Sequence, residues 1–189
     1  MTDNPNALDI DGYTPIHIAV HKGFTEIVKI LAPLADNPNA PDDDGETPIH
    51  LAALRGNTEI VVILAHSTDN PNAPDKNGVT PIYQAALCGN REIVTILAPL
   101  TDNPNAPDDD GVTPIHLAAE KGHAEIVKIL APLTDNPNAP NKAGETPIDY
   151  AFRKGYTEIV KILKSFKTSK EDIHINGGTI QSGCDLSAK

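Results

Sequence analysis

Two histidines, His17 and His21, lie four residues apart, a spacing that can hold zinc on one face of a helix. The glutamate of a hydrolytic zinc site and a convincing third ligand are missing around them. His17 also recurs as His50 and His116 within one repeated motif. Helices that stack about 8–10 Å apart keep such side chains too far apart to share an ion bound at roughly 2 Å. We therefore expect structural histidines and no metal site.

Other motifs that would carry chemistry are incomplete. The run Asp42-x-Asp44-Gly45 resembles part of a calcium loop, but Ala40 and Leu51 stand where its first and twelfth ligands would be. The sequence contains neither the phosphate loop Gly-x-x-x-x-Gly-Lys nor the nucleophile elbow Gly-x-Ser-x-Gly. We therefore predict no catalytic site and no cofactor, and we expect that the protein is not an enzyme.

An internal period organises the chain. The dipeptide Thr-Pro returns every 33 residues, beginning at Thr14, Thr47, Thr80, Thr113 and Thr146. A glycine stands two residues before each threonine, and another stands nine residues after it. Because the Thr-Pro dipeptides and the glycines recur with the same period, we assign residues 1–164 to one repeat array. Its repeats lie at about 9–41, 42–74, 75–107, 108–140 and 141–164.

Each repeat predicts a pair of short helices. Thr47 is a good N-cap, and Pro48 suits the first helical position because no amide partner is lost there. Gly56 supplies the left-handed residue that ends this helix. A second helix begins at Thr58, where aliphatic residues recur at helical spacing. Proline follows and ends this helix in three repeats, but repeat two has His66 there, so its helix is expected to run further.

The segments between repeats cannot be helical. Residues 36–45 contain two prolines and two asparagines and close on Asp-Gly, which is a tight-turn signal. They predict a hairpin-like loop. Neither short helix could bury its apolar face alone, so successive helix pairs must stack and share one elongated core. The predicted fold class is all-α.

The motif Gly-x-Thr-Pro-Ile-His-Leu-Ala-Ala, at Gly45–Ala53 and Gly111–Ala119, is similar to that of the ankyrin repeat family. The resemblance covers roughly residues 3–164 in five repeats. It implies an ankyrin-repeat solenoid with projecting β-hairpin loops, a motif histidine that makes backbone and inter-repeat hydrogen bonds, and protein binding. Tyr83-Gln84 and Asp149-Tyr150 replace His-Leu in two repeats, and they mark places where local packing or a partner has changed.

The resemblance implies that a partner is gripped by the hairpin tips and by the inner surface of the first helices. On the tips the matching positions are Ile10, Asp11, Tyr13, Asp43, Asp44, Glu46, Lys76, Asn77, Val79, Asp109, Asp110, Val112, Lys142, Ala143 and Glu145. On the first helices they are His21, Lys22, Leu54, Arg55, Leu87, Cys88, Glu120, Lys121, Arg153 and Lys154. These positions differ among the repeats, which is compatible with a partner-specific surface and also with surface positions that drift freely.

Charge and apolarity indicate how such a surface would bind. The tips of repeats two and four are acidic and could steer a basic segment of a partner, or serve only as a solubilising edge. Leu54, Leu87, Tyr13 and Ile10 are better candidates for energetic anchors, because the burial of apolar side chains adds more affinity than exposed ion pairs do.

The loop asparagines raise a separate hypothesis. Asn6, Asn39, Asn72, Asn105 and Asn138 align with the asparagine that an oxygen-dependent asparaginyl hydroxylase modifies in some ankyrin proteins. The preceding proline departs from the usual valine. The simpler interpretation is that these side chains hydrogen-bond their own loop and the next one. The intact mass after treatment with such a hydroxylase distinguishes the two, because an unchanged mass excludes modification.

Composition narrows the class of partner and the compartment. The 189 residues carry a formal charge of −11, and the isoelectric point is near 4.9. Nucleic acids and acidic membranes attract lysine and arginine, so this charge disfavours both and favours a protein partner. Cys88 and Cys184 indicate free thiols in a reducing compartment, cytoplasmic or nuclear. We expect a monomer.

The two ends of the array are predicted to differ. The first repeat has no polar capping repeat before it and is expected to expose Ile18 and Val20. At the other end, lysines recur every three residues from Lys161 and predict a helix whose solvent-exposed face caps the array, with a basic stripe that binds a partner as the alternative. Residues 165–189 are assigned to this cap extension and a flexible tail, or a loosely attached hairpin formed by the short strand-turn pattern from Ile173.

Three functions compete at this point. The leading hypothesis is a non-catalytic scaffold that binds a protein partner through the hairpin tips and the concave helix face. The alternatives are a structural spacer and an engineered or consensus-like repeat scaffold. An enzyme would require a grafted site that the sequence does not contain.

Overall fold

The computed structural model describes residues 4–175, which form ten α-helices and no strand. The first helices of the five repeats are α1 (Pro15–Lys22), α3 (Pro48–Arg55), α5 (Pro81–Cys88), α7 (Pro114–Lys121) and α9 (Pro147–Lys154). The second helices are α2 (Thr25–Leu31), α4 (Thr58–Ala65), α6 (Arg91–Leu97), α8 (Ala124–Leu130) and α10 (Thr157–Ile175). The predicted all-α solenoid of helix pairs is confirmed.

The first helices begin and end at residues that the repeat motif supplies. Each starts at a proline behind a threonine N-cap. In α1 the amide of His17 donates to Thr14 Oγ1 at 3.3 Å, which satisfies one of the donors that a helix start leaves free. Each ends at a glycine, such as Gly23 with a φ of 72°, because glycine takes left-handed backbone without steric cost. Local sequence alone therefore sets the length of these helices.

The second helices depend more on their surroundings. No side chain of the N-cap residue bonds the start of α2, α4, α6 or α8. A short 3-10 turn that contains the proline follows α2, α6 and α8. As predicted, α4 runs one residue further, to Ala65. Its end is held by His66, whose Nδ1 lies 2.6 Å from the carbonyl oxygen of Val62.

The core is a continuous apolar layer shared by the two rows of helices. Its fully buried members include Ile49, Ile82 and Ile115 from the first helices and Leu64, Leu97 and Leu130 from the second. Alanines such as Ala52 and Ala53 let the first helices pack more closely against one another than the second helices do. Each repeat therefore buries its apolar residues against its neighbours.

One histidine in repeats one, two and four joins a helix start to the next repeat. The Nδ1 atom of His50 accepts the amide hydrogen of Thr47 at 3.1 Å, so the neutral ring carries its proton on Nε2. Nε2 donates to the carbonyl of Val79 in the next hairpin at 3.0 Å. Equivalent bonds run from His17 to Thr14 and Glu46, and from His116 to Thr113 and Glu145. We call this arrangement the histidine clamp, and it confirms the structural role predicted for these residues.

The two repeats that depart from the motif replace the histidine clamp in different ways. In repeat three the hydroxyl of Tyr83 donates to Asp108 of the next hairpin at 2.7 Å, so a side-chain link between repeats is kept. In repeat five Asp149 Oδ2 accepts the amide hydrogen of Thr146 at 2.8 Å and caps its own helix. A carboxylate carries no hydrogen that it could donate to the carbonyl of a following hairpin, so Asp149 does not reproduce the second bond of the histidine clamp. Local packing therefore explains both departures.

The loops between repeats form tight turns that contact one another. In repeat two, Asp42 Oδ1 accepts the amide hydrogens of Asp44 and Glu46, both at 2.9 Å. Successive turns are joined by backbone hydrogen bonds, such as the one from the amide of Lys76 to the carbonyl of Asp44 at 3.1 Å. The hairpin loops thus form a continuous edge along the array, built from turns rather than strands in residues 4–175.

The ends of the array differ from the prediction in two places. Ile18 is 47% exposed as expected, but Val20 is fully buried, so its predicted exposure is wrong. Phe152 occupies the position of Val20 in the last repeat, and it is exposed. The side chain at this position of a repeat therefore faces the following repeat and not the preceding one. Helix α10 continues to Ile175, so the strand-like pattern predicted from Ile173 is not adopted there. The remainder of the predicted tail lies outside the described residues.

We expect Gly78→Ala to destabilise the protein more than Gly144→Ala. The two glycines have φ values of 78° and 80°, so alanine costs about 1–2 kcal/mol at each for left-handed backbone. A Cβ on Gly78 would lie 3.0 Å from Asp108 Cα of the next turn, whereas a Cβ on Gly144 would meet nothing within 4 Å. Because backbone cannot swing aside, we expect Gly78→Ala to cost about 1–3 kcal/mol more. Urea denaturation measures both losses, and equal losses would contradict the close packing of the turns.

The histidine clamp predicts that the free energy of unfolding decreases as pH falls from about 7.5 to about 5.5. Burial lowers the pKa of His17, His50 and His116 below 6.5, although the hydrogen bonds to the next repeat act in the opposite direction. Below pH 6.5 the unfolded chain takes up protons that the folded chain does not, and this uptake favours unfolding. Urea denaturation at several pH values measures the decrease.

Two variants serve as comparison for this pH dependence. His50→Gln should make the decrease smaller, because it removes one of the three groups. Tyr83→Phe, which removes the corresponding link in repeat three, should lower stability by a similar amount at every pH in this range. The range stays above pH about 5.5 because burial raises the pKa of Glu46, which acts with the opposite sign. A flat profile for the unmodified protein would contradict the histidine clamp.

Candidate functional site

The predicted partner positions lie on the edge formed by the hairpin turns and at the C-terminal ends of the first helices. We call these 25 residues the tip-helix surface, and none of them is buried. The half-buried ones are Tyr13, Glu46, Val79, Leu87, Val112, Glu120 and Glu145. In repeat five the two rows meet, because the guanidinium of Arg153 bonds the carboxylate of Glu145. Hairpin tips and helix ends are thus brought within side-chain reach of each other.

Apolar side chains occupy the middle of the tip-helix surface. Leu54 is 37% exposed, and its equivalent in the next repeat, Leu87, is half-buried. Val79 and Val112 on the neighbouring tips are half-buried as well. None of these four residues belongs to the buried core. They are therefore available for contact without disturbing the stack.

The two other predicted anchors lie in the first repeat. The ring of Tyr13 stacks on the ring of His17, with 5.3 Å between their centroids, so part of its surface is already used within the chain. Ile10 is 95% exposed at the tip of the first hairpin. The apolar part of the tip-helix surface is therefore divided between the first tip and the middle repeats.

The aspartates of the hairpin tips divide into structural and accessible ones. Asp108 Oδ1 accepts the amide hydrogens of Asp110 and Val112 at 2.9 and 2.8 Å, as Asp42 does in repeat two. These two carboxylates close the turns. Asp43, Asp44, Asp109 and Asp110 are exposed. Only the last two carboxylates of each triplet are thus presented outward, which the run of three aspartates did not reveal.

Residues 4–175 contain no group of three or more His, Cys, Asp or Glu side chains that could hold a metal ion. The zinc-like spacing of His17 and His21 does not form a site, because both ring nitrogens of His17 are engaged in the histidine clamp. Cys88 is exposed and forms no disulfide. In the same part of the chain, no helix combines the length and apolarity needed to cross a bilayer.

The loop asparagines are structural acceptors in four repeats. Asn39, Asn72, Asn105 and Asn138 accept the amide hydrogens of Ile49, Ile82, Ile115 and Ile148 at 3.1, 2.9, 3.0 and 3.0 Å. Asn72 is only 4% exposed, so a hydroxylase would have to open this loop to reach it. Asn6 differs, because its Oδ1 accepts the amide hydrogen of Asp36 at 3.0 Å. Hydroxylation at these asparagines stays a prediction.

A groove that the sequence did not indicate lies between the loops of repeats two and three. Its volume is about 740 Å³, and its lining includes Asn70, Pro74, Leu100, Asn103 and Pro107. None of the lining residues belongs to the tip-helix surface. The recurring Asn-Pro-Asn-Ala-Pro segments form its walls, so the only signal in the sequence was their period.

A family model described as ankyrin repeats (3 copies) matches the sequence over residues 2–75, 33–108 and 99–176. The three matches overlap and together include all five helix pairs. No curated protein matches the sequence. The repeat period, the stacked helix pairs and this match agree that the chain belongs to the ankyrin repeat family, whose members are generally non-enzymatic protein–protein interaction modules.

Proposed function

We propose that this chain is a non-catalytic scaffold that binds a protein partner through the tip-helix surface. The observation that carries the proposal is that different residues of each repeat hold the stack and face the solvent. Buried residues and backbone bonds hold the stack, whereas the side chains of the tip-helix surface remain accessible on it. A rigid platform with accessible side chains loses little conformational entropy when it binds.

The middle repeats supply the apolar part of the proposed contact. Leu54 and Leu87 occupy equivalent positions in neighbouring first helices, and the half-buried Val79 and Val112 lie on the hairpin tips of repeats three and four. Full burial of an aliphatic side chain contributes about 1.5–3 kcal/mol. A few such residues at the centre of an interface are enough to dominate its affinity. These residues are the proposed anchors.

The acidic tips supply the proposed selectivity. Asp43, Asp44, Asp109 and Asp110 are exposed, and the chain carries a formal charge of −11. Exposed carboxylates attract a basic segment over a distance set by ionic strength, about 8 Å under physiological conditions. The same charge disfavours nucleic acid as a partner. The proposed partner is therefore a protein with a basic segment beside apolar residues.

The proposed compartment is intracellular, cytoplasmic or nuclear. Cys88 is exposed and unpaired, and the chain has only one other cysteine. Exposed free thiols persist where glutathione and thioredoxin keep them reduced. Separation of the cytoplasmic and nuclear fractions of a source cell, with detection of the chain in each, tests this assignment.

The variant Leu54→Ala, Leu87→Ala, Asp109→Ala tests the proposed binding surface. We expect it to capture at least about tenfold less partner from a lysate than the unmodified chain, because it removes two apolar anchors and one charge. Quantitative mass spectrometry of the captured proteins measures the loss. Thermal denaturation followed by circular dichroism verifies that the variant remains folded.

The matched control is Val62→Ala, Leu100→Ala, Asp69→Ala, which removes the same kinds of side chain outside the tip-helix surface. Val62 and Leu54 are both 37% exposed. The control should capture the same proteins as the unmodified chain. Equal yields from all three proteins would refute the proposed surface. If no protein is captured specifically by the unmodified chain, the structural spacer becomes the better interpretation.

A further inference from the structure

An asparagine followed by a glycine occupies the hairpin tip of repeat three. Asn77 is exposed, and Gly78 comes directly after it. At the same position the other tips have Asp11, Asp44, Asp110 and Ala143. Glycine has no side chain to shield its backbone nitrogen, so this nitrogen can approach the side-chain amide of the residue before it. Both groups of an intramolecular reaction are thus present on the tip-helix surface.

Most other asparagines of the chain are unsuited to this reaction. Five precede a proline, whose nitrogen carries no hydrogen that could leave before an attack: Asn4, Asn37, Asn70, Asn103 and Asn136. The next five precede an alanine, and four of these hold an isoleucine amide through Oδ1 as described above. Asn141 Oδ1 likewise accepts the amide hydrogens of Ala143 and Glu145, both at 3.0 Å.

Three asparagines remain besides Asn77. Asn57 and Asn90 precede Thr58 and Arg91, whose amides each donate to a glycine carbonyl at 2.9 Å where a second helix starts. Asn176 also precedes a glycine, but it lies outside the described residues. Asn77 is therefore the one asparagine of residues 4–175 that precedes a glycine.

The turn holds the main chain of Asn77 and leaves its side chain free. Within residues 4–175 the side-chain amide has no hydrogen-bond partner, so it can rotate toward Gly78. The amide of Asn77 donates to Asp75 Oδ1 at 2.8 Å, and its carbonyl accepts the amide hydrogen of Asp109 at 2.9 Å. The amide of Gly78 donates to the carbonyl of Asp75 at 3.2 Å, so the hydrogen that must leave is engaged in a single bond.

We propose that Asn77 is a site of spontaneous deamidation. The Gly78 nitrogen, after loss of its proton to water, attacks Cγ of Asn77 and forms a C–N bond, while Nδ2 takes up a proton and leaves as ammonia. The product of this step is a five-membered succinimide ring. Water then opens the ring. Cleavage of the new bond gives aspartate, whereas cleavage of the original main-chain bond gives isoaspartate, and neither step changes an oxidation state.

The two products differ in their effect on the tip. Aspartate at position 77 reproduces the tips of repeats two and four, where Asp44 and Asp110 precede the glycine, and it adds one negative charge beside Lys76. Isoaspartate adds one carbon to the main chain before Gly78, so the bonds of this turn to Asp75 and Asp109 cannot all be kept. A tighter hold on a basic partner by the aspartate form rests on the proposed function, whereas the reaction itself does not.

Incubation of the full, folded chain at mildly alkaline pH, followed by peptide mapping with mass spectrometry, tests the proposal. We expect the peptide that contains Asn77 to gain the mass difference between oxygen and NH, while the other asparagines of residues 4–175 stay unmodified. The reaction should be at least about fivefold slower than in urea, because the Gly78 amide must first leave its hydrogen bond. Asn77→Gln should abolish it, since glutamine would have to close a six-membered ring.

Tyr83→Phe tests the link between the reaction and the fold. The hydroxyl of Tyr83 bonds Asp108, which precedes the residue that holds the carbonyl of Asn77. Loss of this bond should loosen the junction and raise the rate at Asn77 about two- to fivefold in the folded chain, with no change in urea. The control Leu133→Ala, at a residue 50% exposed elsewhere, should leave both rates unchanged.

Three outcomes would overturn the proposal. The first is an unmodified Asn77 in the folded chain after a time in which the chain in urea has reacted completely. The second is modification of an asparagine that precedes proline or alanine at a comparable rate. The third is an equal rate in the folded chain and in urea, which would show that the turn does not control the reaction. None of these measurements requires a binding partner, so they leave the proposed function untouched.

Discussion

The hydrogen bond from a histidine ring to a carbonyl of the following hairpin holds repeats one, two and four in register with the repeat that follows each of them. In His50 the same ring also accepts the amide hydrogen that starts its own helix, so one neutral side chain joins local and long-range structure. The rows of first helices and hairpin turns are aligned by this bond and by its substitute at Tyr83. The position of every residue of the tip-helix surface follows from that alignment.

Much of the fold could be predicted because its signals are local. A threonine and a proline begin each first helix, and a glycine ends it, within ten residues of sequence. Val20 was assigned to the wrong face because an eight-residue helix with apolar residues on several sides does not indicate which neighbour covers which side. The bonds between successive turns were missed because backbone amides leave no pattern in the sequence. The continuation of α10 to Ile175 was missed because glycines just beyond it suggested a turn.

The candidate surface was predictable in position but not in detail. Residues outside the repeated motif are the ones that the core does not constrain, so their accessibility could be expected. Which aspartate of a triplet closes the turn depends on the turn geometry, and Asp42 and Asp108 could not be separated from their neighbours by residue type. The exposed apolar face of the first repeat was only partly foreseen, through Ile18, because Ile27 and Ile30 differ from their interior equivalents by the absence of a neighbour and not by their sequence.

The single backbone hydrogen bond between neighbouring turns has a mechanical consequence. Each such bond contributes about 1 kcal/mol, which is comparable with thermal energy, whereas the helices are joined by packed side chains. A bend that lengthens these bonds at the four junctions between turns is therefore opposed less strongly than one that separates the packed helices.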